Sequence, residues 1–158
     1  MDITNKNDVR EMIKNALAEL NDGKTKMNST PAIELVMGTW AVESNGGHFL
    51  KQLGGGPALS AWQIEKATYK DIINRVPKHF LAILAQTIDK PVEDSDFSLL
   101  ENNHKFAAQI CRLKYYLCPG ELPYNLIERA KYWKKYYNTE LGQGTVEKYI
   151  SKYNTYAL

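Results

Sequence analysis

Thr30-Pro31-Ala32-Ile33-Glu34-Leu35-Val36-Met37-Gly38-Thr39-Trp40-Ala41-Val42-Glu43-Ser44-Asn45-Gly46-Gly47 is the stretch that decides the fold. Thr30 offers a helix N-cap, and Pro31 takes the first helical position, where its missing N–H leaves no bond unmade. Ile33, Leu35, Val36, Met37, Trp40 and Ala41 then place apolar side chains nearly all round the axis. That pattern predicts a central, buried helix rather than a surface one. The run ends on Glu43 and Ser44 and breaks into glycines. Glu43 therefore sits at a helix end, half-backed by apolar surface and facing a loop. A carboxyl group so placed can stay protonated near neutral pH and act as a general acid. The plainer alternative is an ordinary polar residue in the last turn of a helix.

On the N-terminal side, Asn7 can cap a helix in which Val9, Met12, Ile13, Ala16, Leu17 and Leu20 follow helical spacing, closed by Asn21-Asp22-Gly23. On the C-terminal side, five glycines lie between Asn45 and Gly56. They serve either to bring backbone close to a ligand or simply to turn the chain. No Gly-Lys-Ser/Thr follows, so this is not a phosphate-binding loop. Beyond Ala58-Leu59-Ser60-Ala61-Trp62-Gln63-Ile64-Glu65, one helix runs through Ala67, Tyr69, Ile72 and Ile73 to Pro77. A second carries Phe80, Leu81, Ile83, Leu84 and Ile88.

The acidic segment Glu93 to Asp96 is expected to be a surface loop, and a long helix is expected from Leu99 to Leu117. Leu122-Pro123 opens another helix, with Leu126, Ile127, Ala130, Trp133 and Tyr137 on one face. Thr145 caps a last one through Val146, Tyr149 and Ile150. The chain is expected to be a single all-α domain over residues 1–158, with at most a minimal β element and about seven helices around the central one.

Composition excludes several classes. The chain has 158 residues, 44% hydrophobic and 24% charged, enough for one real core. A net charge of +2 without a Lys/Arg run argues against nucleic acid as partner. No apolar run reaches the ~20 residues of a membrane helix, so no stable membrane association is expected. The N-terminus has neither a basic region nor an apolar one, which predicts synthesis in the cytoplasm without a signal peptide. His48, His79 and His104 lack zinc-ligand spacing, so no metal and no cofactor is assigned. Cys111 and Cys118 lie about 10 Å apart along a helix, which favours free thiols over a disulfide.

Three motifs line up in order: Glu43-Ser44; Ala58-Leu59-Ser60-Ala61-Trp62-Gln63-Ile64; and Tyr137-Asn138 with a glycine-bearing turn before Tyr149-Ile150. Together they resemble the lytic transglycosylase and goose-type lysozyme superfamily, and are most similar to small bacteriophage-encoded members such as endolysins. The likeness spans roughly residues 30 to 153. It implies a monomeric lysozyme-like domain that cuts peptidoglycan glycan strands at the β-1,4 bond between N-acetylmuramic acid and N-acetylglucosamine. Under it, Glu43 is the catalytic acid. Ser44 holds substrate or acid, Trp62 and Gln63 form the groove wall, and Tyr137 and Asn138 orient the acid and the N-acetyl group.

Where the family motif has Gly and then Leu-Met, this chain has Ser60 and Ala61-Trp62, so a bulkier groove is expected near Gln63. Among the clustered tyrosines only two or three are expected to touch ligand. No carboxylate lies between Glu43 and Gln63. Glu65 and Asp71 are the nearest candidates for a second one, although Glu65 also suits a helix start on dipole grounds. Without a second carboxylate, Glu43 would serve as both acid and base, as in lytic transglycosylases. The alternative function is a virion or structural protein that keeps the fold and binds the wall without cutting. Release through a lysis pore or delivery within a virion would each bring the protein to the bacterial cell wall.

Overall fold

A computed structural model describes residues 1–51, 56–139 and 142–158. Of the sequence features above, Gly54 and Gly55 of the glycine-rich loop and Glu140-Leu141 in the turn after Asn138 lie outside the described residues. The seven α-helices among the described residues are α1 (Lys6–Ala18), α2 (Thr30–Ser44), α3 (Lys66–Arg75), α4 (Lys78–Ile88), α5 (His104–Tyr116), α6 (Leu126–Trp133) and α7 (Val146–Lys152). Among the described residues the β content is two isolated antiparallel bridges, Lys51 to Leu59 and Leu59 to Ile64. The domain is all-α, as its periodicity predicts.

Every residue of α2 except Thr30, Glu34 and Glu43 is buried. It is the central helix: α1, α5, α6 and α7 all pack against it. The approach of α7 is close enough that a Cβ on Gly38 would run into the ring of Tyr149. Thr39 and Trp40 of α2 have their side-chain polar atoms satisfied inside this packing, as burial demands. Thr39 Oγ1 donates to Leu35 O and lies 2.8 Å from Tyr115 Oη, and Trp40 Nε1 donates to Ile3 O.

Helix ends differ from expectation in ways the caps explain. Asn5, not Asn7, caps α1, accepting from the N–H groups of Asn7 and Asp8. Ser29, not Thr30, caps α2, because Ser29 has the extended backbone that lets its Oγ reach Ala32 N–H. The helix expected from Leu99 to Leu117 is divided. A 3-10 segment, Asp94–Glu101, precedes α5, and Asn103 caps α5 by accepting from Phe106 N–H. α6 begins at Leu126 under an Asn125 cap, later than Leu122-Pro123 suggests, and its Ile127 faces solvent. Thr145 caps α7 as expected.

The acidic stretch is not simply a surface loop. Asp96 is only 5% exposed; its carboxylate accepts from Lys90 Nζ at 2.7 Å and caps the Glu93 N–H. Cys111 is buried on α5 and Cys118 lies beyond its end, both as free thiols.

Candidate active site

The last turn of α2 is closed by its own side chains. Ser44 Oγ donates to Trp40 O at 2.8 Å and accepts from Gly47 N–H at 2.9 Å. Asn45 takes the left-handed conformation and its N–H returns to Ala41 O. This fixes the direction in which Glu43 leaves the helix. One neighbour holds its carboxylate: Trp133, the last residue of α6, donates Nε1–H to Glu43 Oε2 at 3.0 Å. A buried indole N–H needs an acceptor, and Glu43 is the one it finds.

Glu43 borders a cleft of about 630 Å³ that also bears Gln63, Glu65, Tyr137, Asn138 and Lys114. Burial raises the Glu43 carboxyl to about 7. The Trp133 hydrogen bond and the positive charge of Lys148 pull in the opposite direction and are outweighed. Glu43 is thus divided between its protonated and ionised forms at neutral pH. A carboxyl group in that state can give a proton to a substrate oxygen and take one back.

The far wall is a short loop held under strain. Ser60 and Gln63 both have positive φ, +77° and +48°. Gln63 Nε2 donates to Ser60 O at 2.8 Å, which spends part of its amide on the loop. Tyr137 Oη donates to the Trp62 carbonyl at 2.6 Å and its ring stacks on Tyr115 at 5.3 Å. That bond ties the loop to the segment after α6. There the chain makes a π-type turn, Lys134–Asn138. Lys134 Nζ donates both to Asn138 Oδ1 at 2.8 Å and to Gly142 O at 2.9 Å.

The structure therefore gathers five of the seven predicted site residues, Glu43, Gln63, Glu65, Tyr137 and Asn138, on one cleft. Ser44 and Trp62 lie elsewhere. Both are fully buried: Ser44 closes the helix, and Trp62 is core, with Nε1 donating to Val36 O at 3.0 Å. Trp62 reaches the cleft wall only through its carbonyl. Of the clustered tyrosines, Tyr137 alone borders this cleft among the described residues.

Glu65 is the other carboxylate on the cleft among the described residues. It stands at the start of α3 without making a side-chain cap. Asp71 is turned to solvent in a pair with Arg75 at 2.9 Å and borders no part of the cleft.

Sequence reasoning missed Trp133, Lys134 and Lys114. Trp133 and Tyr137 were legible as one helix face, and the need of a buried indole for an acceptor was the available signal. Which acceptor it meets is decided by how α6 packs on α2. No protein-family model matches the chain, and no curated protein or solved structure matches it.

Proposed function

We propose that the protein cleaves peptidoglycan glycan strands between N-acetylmuramic acid and N-acetylglucosamine, with Glu43 as the proton donor. The observation that carries this reading is a desolvated carboxyl at the helix end, titrating near neutrality on the edge of a cleft large enough for sugar rings. The order of the three sequence motifs supports the same chemistry.

In the proposed reaction the Glu43 proton passes to the glycosidic oxygen. The bond from that oxygen to C1 breaks, and its electron pair stays with the oxygen. The cationic C1 is then captured by an oxygen nucleophile whose proton goes to a carboxylate. If the nucleophile is water, the product is a hydrolysed end, and Glu65, the other carboxylate lining the cleft among the described residues, would activate the water. If it is the sugar's own C6 hydroxyl, Glu43 recovers the proton and an anhydro end results. Tyr137, Asn138 and Gln63 would supply polar contacts for the sugar along the cleft. Delivery to the wall, through a lysis pore or within a virion, belongs to this reading.

Incubation of purified protein with peptidoglycan, followed by mass spectrometry of the soluble fragments, tests it. Muropeptide fragments from the wild type and none from a folded Glu43→Gln variant are expected, and anhydro ends would assign both proton transfers to Glu43. Wall binding without fragment release would refute cleavage and favour the non-cutting wall-binding protein.

A further inference from the structure

A different face of α5 carries a buried charge that the cleft does not use. Arg112 is only 4% exposed, and its one hydrogen bond among the described residues runs from Nε to Met27 O at 2.9 Å. No carboxylate pairs with it among the described residues. The groups acting on it electrostatically, Cys111, Tyr132 and Tyr116, include no carboxylate. Burial pulls its pKa down to about 10, which still leaves a full positive charge.

A guanidinium withdrawn from water without a counter-ion is costly, and such charges are ordinarily paired. Its terminal nitrogens are not sealed in. The fully buried side-chain nitrogens that lack a partner among the described residues are His104 Nδ1 and Arg129 Nε, not those of Arg112. Arg112 borders a cavity of about 430 Å³, and no described residue of that cavity borders the Glu43 cleft.

The walls say what the cavity suits. Tyr116, Tyr124 and Leu122 contribute rings and apolar surface, Lys26 adds a second cation, and Glu121 is the one carboxylate among the described lining residues. Two cations against one anion leave room for a single negative charge, which a dianionic phosphate would exceed. The planar fork of a guanidinium matches the two oxygens of a carboxylate. We propose that this cavity binds a monoanionic carboxylate borne on an apolar or aromatic body. The fork of Arg112 takes the carboxylate, and Tyr116, Tyr124 and Leu122 flank the body.

The test is a titration of isotopically labelled protein with benzoate, benzamide, inorganic phosphate and N-acetyl-alanyl-alanine, followed by NMR. Benzoate is expected to shift the Arg112 Nε–H and the backbone signals of Tyr116 and Leu122 saturably, while benzamide, its uncharged analogue, leaves them in place. Tighter binding of the dipeptide than of benzoate would assign the carboxylate to a peptide terminus; the reverse would assign it to a free organic acid. Arg112→Gln should abolish binding.

Because Arg112 also ties down Met27, Lys26→Glu and Tyr124→Ala provide variants outside the core, and each should weaken binding several-fold. Tyr124 is 81% exposed. Unmoved signals at millimolar benzoate, equal binding of benzamide, phosphate binding tighter than benzoate, or full binding in Lys26→Glu and Tyr124→Ala would each overturn the assignment.

Discussion

Replacing Glu43 by Gln exchanges an ionisable group for a neutral one of the same shape, and the structure sets the pH at which that exchange is felt. In the unfolded chain Glu43 titrates near 4.5, in the folded protein near 7. Below 4.5 both states hold the proton and the group has no effect on stability. Between 4.5 and 7 the unfolded chain releases its proton while the folded one keeps it, so stability falls as pH rises. Above 7 the loss is complete.

A shift of this size corresponds to about 3 kcal/mol at ~1.4 kcal/mol per pKa unit. The Gln side chain keeps an oxygen for the Trp133 N–H and carries no charge to desolvate. Glu43→Gln is therefore expected to equal the wild type at pH 4 and to exceed it by up to about 3 kcal/mol at pH 8. Urea unfolding followed by tryptophan fluorescence at the two pH values measures the difference directly. An identical stability gap at pH 4 and pH 8 would refute the argument, since Glu43 would then titrate as an ordinary carboxylate and could not be the protonated acid.

Trp133→Phe removes a bond that favours the ionised form. It is expected to raise the Glu43 pKa by about 1–2 units, from a loss of roughly 1.5–3 kcal/mol, read by NMR titration of the side-chain carboxyl carbon. Cleavage by the wild type should decline as pH rises through about 7, because the acid loses its proton there, and a pH–rate profile of fragment release checks this. Tyr137→Phe breaks the bond to the Trp62 carbonyl at a cost of about 1 kcal/mol in unfolding free energy. It is expected to lower fragment release more than that small loss of stability accounts for, because the Gln63 loop loses its tether. Gly38→Ala drives a methyl group into Tyr149 and should destabilise by about 1–3 kcal/mol or more, seen as a lowered thermal midpoint.

The central helix was legible because its apolar residues leave no polar stripe for solvent, so no surface position suits it. Its start was harder to place. Ser29 and Thr30 are both good caps, and the choice depends on which residue takes the extended backbone. The break before α5 was masked by the apolar pair Leu99-Leu100, which continues the helical period across a turn that Asn103 then caps.

Asp96 shows a different gap. Local sequence cannot say that a carboxylate in an acidic run is buried, because that depends on Lys90 reaching it. In the site, Glu43 announced itself by standing alone at a helix end. The family resemblance puts Ser44 and Trp62 among the ligand contacts. Hydrogen bonds to Trp40 O and Val36 O commit them to the interior instead. Trp133 could be placed in the core from its spacing, but not against Glu43, since that meeting belongs to the packing of α6 on α2.

Trp133 and Lys134 are consecutive residues with unlike duties, the first bonded to the acid and the second to Asn138 and Gly142 on the cleft's rim. One short length of backbone thus holds Glu43 with one residue and the rim of the cleft with the next. Under the proposed function, a glycan strand on the rim would meet Gly142, whose carbonyl is held by the neighbour of the residue that bonds Glu43. Loosening the Trp133 bond would make Glu43 hold its proton more firmly, so a rim displacement carried from Lys134 to Trp133 would raise the pKa of the carboxyl.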